Sequence, residues 1–183
     1  MKFVKTLLAV AAIGAAFTAQ AESTINTGPG ANLATTARLN FNVVIPRVIY
    51  LRVGTGTDFT PNGTIDTVTF TPGAAAGNGT AIAGGATVGV RVFSTGTGVT
   101  LGAAGAAASP LGLTSGALPV IPWSQITATS TGLAHPAIGA AAAAVPATGS
   151  ITTQAAVWTF NYANAAAAAG TYTGQVIYTA TLP

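Results

Sequence analysis

The sequence predicts an all-β protein: a single antiparallel immunoglobulin-like β-sandwich of about 7–8 strands with long Gly/Ala-rich loops. Three observations carry that expectation. Short apolar stretches alternate with polar residues at a period of two, turn-forming Pro, Gly and Asn recur between them, and no stretch sustains a helical period.

The first element is Ala37 to Ile45, where Leu39, Phe41, Val43 and Ile45 alternate with Arg38, Asn40 and Asn42. That pattern reads as a half-buried strand. Pro46 lacks a ladder donor and marks a bend. A second strand follows over 48–53 and ends at Gly54-Thr55-Gly56. Further strands are expected at 64–71, 86–94, 99–101, 123–129, 151–162 and 171–182. In the last, Tyr172, Val176, Tyr178, Ala180 and Leu182 share one face, and Thr171, Thr173, Gln175, Thr179 and Thr181 share the other. Pro61-Asn62-Gly63, Gly77-Asn78-Gly79, Ser109-Pro110 and Pro119 through Pro122 supply turns. Ala140–Ala144 and Ala165–Ala169 favour helix by composition, but such short runs do not hold a helix alone, so they read as loops or single turns. The core is expected from 37–53 and 155–182, with Phe41 and Trp158 buried.

Ahead of these strands, residues 1–21 have the form of a secretory signal. Lys2 and Lys5 precede an apolar run from Leu7 to Phe17, and Ala19-Gln20-Ala21 offers a small-x-small cleavage site before Glu22. The run is shorter than the roughly 20 residues a membrane helix needs. The expected organisation is therefore a signal peptide (1–21), a flexible N-terminal arm (22–36) and a sandwich domain (37–183). The mature chain is expected in the periplasm, at the cell surface or outside the cell, with no transmembrane segment.

Composition narrows function. Cysteine is absent, which removes disulfides and thiolate metal sites. Past the signal, Arg38, Arg47, Arg52 and Arg91 face Glu22, Asp58 and Asp66. Four scattered arginines without a lysine do not form the cationic cluster that nucleic acid requires. So little charge also leaves weak repulsion between copies, which suits self-association.

Catalytic constellations are sparse. His135 is the single histidine and precedes Pro136 in a loop-like stretch, without the companions of a triad or zinc site. Asp58 and Asp66 are the remaining candidate carboxylate pair, but Asp58 lies among Thr57, Phe59 and Pro61, ordinary turn residues. No enzyme, cofactor or metal is expected. Gly54-x-Gly56 and Gly96-x-Gly98 lack the helix and Lys of a phosphate loop. Asn62-Gly63-Thr64 and Asn78-Gly79-Thr80 fit a glycosylation sequon, a chance match in a bacterial-type exported chain. The Thr-x-Thr pairs are irregularly spaced, as solvent-facing strand positions are. Trp123, at a strand start after Pro122, and Tyr162 are candidate ligand contacts for a sugar. Trp158, between Val157 and Phe160, reads as core.

Two segments carry a family resemblance. Ala34-Thr35-Thr36-Ala37-Arg38-Leu39-Asn40-Phe41-Asn42-Val43 resembles the first strand of spore-coat-U-like and archaic chaperone–usher pilin domains. Gly170-Thr171-Tyr172-Thr173-Gly174-Gln175-Val176-Ile177-Tyr178-Thr179-Ala180 resembles their closing strand. The resemblance implies export, a chaperone, and polymerisation with copies of itself or other surface subunits. In such subunits an N-terminal extension completes the neighbour's sandwich by strand addition. Ile25 and Leu33 are then the candidate assembly residues of the arm. The expected function is a non-enzymatic structural or adhesive surface protein, a fimbria-like or biofilm-matrix subunit. The alternative is a monomeric periplasmic or secreted carbohydrate-binding module.

Overall fold

The computed structural model describes residues 22–30 and 32–183, so the expected signal peptide lies outside the described residues. Nine strands form among them: β1 (Ile49–Val53), β2 (Ile82–Ser94), β3 (Thr100–Gly105), β4 (Gly112–Leu113), β5 (Ile121–Pro122), β6 (Ile126–Gly132), β7 (Ala143–Ala144), β8 (Thr152–Tyr162) and β9 (Val176–Thr181). Among the described residues, helix is confined to two single 3-10 turns, Gly73–Ala75 and Trp123–Gln125. No helix among the described residues is long and apolar enough to cross a membrane.

One sheet has the order β1-β2-β8-β6 and a second has β7-β3-β9; β4 and β5 form a small separate pair. All the ladders are antiparallel. The period of two decides what lies between the sheets. Val88, Val90 and Val92 of β2 face inward, as do Ala156, Trp158 and Phe160 of β8. Their register sets Val88 opposite Trp158 and Val90 opposite Ala156. Leu101 of β3 and Tyr178, Ala180 and Leu182 at β9 close the same core from the second sheet. Branched and aromatic side chains thus fill one layer between two sheets, the packing of a β-sandwich.

The close of the chain matches its alternation, since Val176, Tyr178, Ala180 and Leu182 are half-buried while Ile177, Thr179 and Thr181 face solvent. The Ala runs form no helix. Ala143 and Ala144 pair instead with Leu101 and Thr100. Asn62 and Asn78 each accept the backbone N–H two residues on, from Thr64 and Thr80, as turn asparagines do.

Two expected strands do not form. The stretch 37–45 carries no strand, and Phe41, expected in the core, is 86 % exposed. Alternation specifies a face able to be buried, but not the partner that buries it. The stretch 64–71 also has no strand, although Val68 and Phe70 pack half-buried on the core. They pass close to the β2 irregularity between Ala83 and Thr87. There a Cβ on Gly84 would meet Val68 Cγ1 at 2.5 Å and the Phe160 carbonyl at 3.2 Å.

The chain divides into two compact units, 1–45 and 46–183. Within the first, the stretch 22–26 meets 34–38 through side chains. Asn26 Nδ2 donates to the Ala34 carbonyl (3.1 Å), Thr35 Oγ1 donates to the Thr24 carbonyl (3.0 Å), and Arg38 pairs with Glu22 at 2.8 Å. Ile25 and Leu33 are both exposed.

Candidate functional site

The sandwich contains a cavity of about 400 Å³ that is open to solvent. Val88 and Phe160 of the core line it, with Val53, Val68 and Phe70, and with Trp123 and Tyr178. Its lining is more apolar than polar, with Asp66, Thr67 and Gln175 among the polar residues.

Trp123 reaches that cavity from the 3-10 turn after β5. Its Nε1 donates to the Ser109 carbonyl at 2.9 Å. Neighbouring glycines fit its ring closely: a Cβ on Gly174 would approach Cη2 to 2.8 Å, and one on Gly105 would approach Nε1 to 2.5 Å. The indole is half-buried and held in place. Tyr162, the other expected ligand contact, is buried, with its ring 6.0 Å from Phe70 and its hydroxyl donating to the Ala165 carbonyl. Tyr162 is the last residue of β8 on the inward face, so it serves the core, and no Trp123–Tyr162 platform forms.

His135 packs edge-on against Trp158, Phe160 and Tyr178, at ring-centroid distances of 4.7, 5.2 and 5.6 Å. Its Nε2 lies 2.8 Å from the Tyr178 hydroxyl. Burial lowers the imidazole pKa to about 4 and raises that of the Tyr178 phenol. A folded-state value below the unfolded 6.5 means that the unfolded chain binds the extra proton. The contribution of His135 is therefore complete above pH 6.5 and lost as pH falls towards 4. At 1.36 kcal/mol per unit the ceiling is about 3 kcal/mol, and solvent screening of a half-buried ring reduces it to about 1–2 kcal/mol. Urea midpoints at pH 7.5 and 4.5 should drop further for the native chain than for His135→Gln. An equal drop would assign the acid sensitivity elsewhere.

The two aspartates serve separate structural roles. Asp66 accepts from the Thr55 N–H at 2.6 Å and from Thr55 Oγ1 at 2.8 Å. Asp58 lies 3.2 Å from Arg52 Nε and 4.0 Å from Arg91 Nε. Among the described residues no three His, Asp or Glu side chains gather as metal ligands.

A second arrangement was not evident in the sequence. On the outer face of the first sheet, Tyr50 stands opposite Phe93 and Arg52 opposite Arg91. The loop after β1 folds over both rows. It sets Asp58 against the arginines and Phe59 against the rings, at centroid distances of 4.8 Å to Tyr50 and 5.3 Å to Phe93. Like charges directly opposite are unfavourable, and Asp58 offsets them. Tyr50/Arg52 and Arg91/Phe93 are each spaced by two, which places each pair on one strand face; only the register joins the pairs. No protein-family model, curated protein or solved structure matches this chain.

Proposed function

We propose that the protein is a non-enzymatic structural subunit of an exported surface assembly, in which residues 37–45 of one copy complete the sandwich of another. The observation that carries this reading is the pairing of an open, largely apolar cavity with an exposed, strand-patterned segment. Val53, Val68, Phe70, Val88 and Phe160 leave apolar surface in contact with solvent there, which entering side chains would cover. Leu39, Phe41, Val43 and Ile45 are exposed and share one face of an extended chain.

Strand addition joins both needs, since main-chain hydrogen bonds give affinity and alternate side chains enter pockets. β1 and β9 each end a sheet with one unpaired side to receive it. The donor role therefore falls to 39–45, rather than to Ile25 and Leu33, whose stretch has no such alternation. An export chaperone would have the same open sandwich to cover before assembly.

The test is light scattering and negative-stain microscopy of the mature chain against a Phe41→Asp/Val43→Asp variant. Native protein should form large species at high concentration, and the variant should stay monomeric, with the native melting temperature at dilutions where copies do not meet. Assemblies that persist in the variant, or a native chain that is monomeric throughout, would reject the reading.

A further inference from the structure

We infer that the edge of β1, together with the loop between residues 54 and 64, forms a binding site for a neutral pyranose oligosaccharide with Phe59 as its stacking ring. This goes beyond the assembly reading, because the site is complete within one chain.

Phe59 has φ +62°, a left-handed conformation rare for a non-glycine residue. It costs about 1–2 kcal/mol for a side chain that could avoid it. What the conformation achieves is a phenyl ring laid against Tyr50 and Phe93 yet left 57 % exposed. Packing alone would bury such a ring.

The loop is built to hold this pose. Arg52 donates to the Gly56 carbonyl, Asn62 Nδ2 donates to the Thr55 carbonyl, and Asp66 caps Thr55. A Cβ on Gly54 would meet the Asp66 carboxylate at 2.6 Å, so the approach requires a glycine there.

Beside the ring lies a cleft of about 570 Å³, within the range of small-molecule sites, about 300–1,000 Å³. It runs along the edge of β1: Thr55, Thr57, Thr60, Asn62 and Arg52 line it with Phe59 on one side, Leu51, Val53 and Tyr178 on the other, and no carboxylate does. Hydroxyl, amide and guanidinium groups beside one aromatic face match a pyranose ring. Its C–H face lies on the phenyl ring, and its hydroxyls meet the polar rim. A phosphorylated ligand is disfavoured, because Arg52 already faces Asp58 and Gly56. The Nε–H groups of Arg52 and Arg91 are buried without a hydrogen-bond acceptor, although Asp58 lies against them.

The test is calorimetry on the full mature chain with three tetrasaccharides: a β-1,4-glucan, an α-1,4-glucan and a β-1,4-N-acetylglucosamine oligomer. Saturable binding of at least one is expected. Phe59→Gly accepts the left-handed conformation and removes only the ring, so it should weaken binding at least tenfold with the melting temperature retained. Trp123→Phe should leave it unchanged. No binding of any of the three would overturn the proposal, as would binding that survives Phe59→Gly but fails in Trp123→Phe. A Phe59→Gly chain that loses self-association, with the native chain binding no saccharide, would assign the patch to a protein contact instead.

Discussion

Trp158→Ala will cost about 3–5 kcal/mol, the range for removing a large buried aromatic, whereas Phe41→Ala will cost less than about 0.5 kcal/mol in the monomer. Trp158 is 0 % exposed at the centre of β8. Its ring packs on His135 and on Tyr178, the latter at 5.3 Å. Its Nε1 donates to the Leu133 carbonyl at 2.9 Å. Truncation therefore opens a cavity and leaves a buried acceptor without its partner, and the two penalties add. Phe41 has neither kind of contact. Urea denaturation at low protein concentration, where copies do not meet, checks both values. A cost above 2 kcal/mol for Phe41→Ala would place that ring inside its own domain and remove it as a donor.

That contrast shows where the sequence was legible. Both residues sit in alternating stretches and look equally suited to a core. For β9 the alternation reported the true inward face, and Trp158 of β8 lies in the core as expected, because neighbouring strands in the same domain were there to use them. For 37–45 the same alternation marks a face without a strand partner in the described structure. Stretch 64–71 lies between these cases: Val68 and Phe70 reach the core, but its backbone joins no sheet.

Local chemistry was the most readable. The Asn turns and the non-helical Ala runs follow from near neighbours in sequence. The candidate site was the least readable. Trp123 was identified as a distinctive aromatic, yet its indole is bonded to Ser109 and held among glycines. Tyr162 is lost to the core. The Tyr50–Phe59–Phe93 cluster required the register of β1 on β2 and a left-handed Phe59, neither of which a single sequence states.

A synthetic peptide spanning Ala37–Ile45 is expected to stabilise a chain beginning at Pro46, the start of the second compact unit. A ligand that binds only the folded state contributes RT ln(1 + [L]/Kd), about 4 kcal/mol at a thousandfold excess over Kd. For a domain of this size each kcal/mol moves the melting temperature by roughly 2–4 °C, so a shift of about 8–16 °C is expected. The shift should depend on alternation as well as composition. A Phe41→Asp peptide must place a charge in the apolar cavity and should give almost none. A peptide of the same residues with its alternation reversed should also fail, because a one-residue slip turns every apolar side chain outward. Should the native peptide leave the melting temperature unchanged while the whole chain still assembles, the donor is another segment. The stretch 22–36, with Ile25 and Leu33, would be next to examine. Stabilisation by the native peptide alone would instead identify the cavity as an acceptor and 37–45 as the strand that fits it.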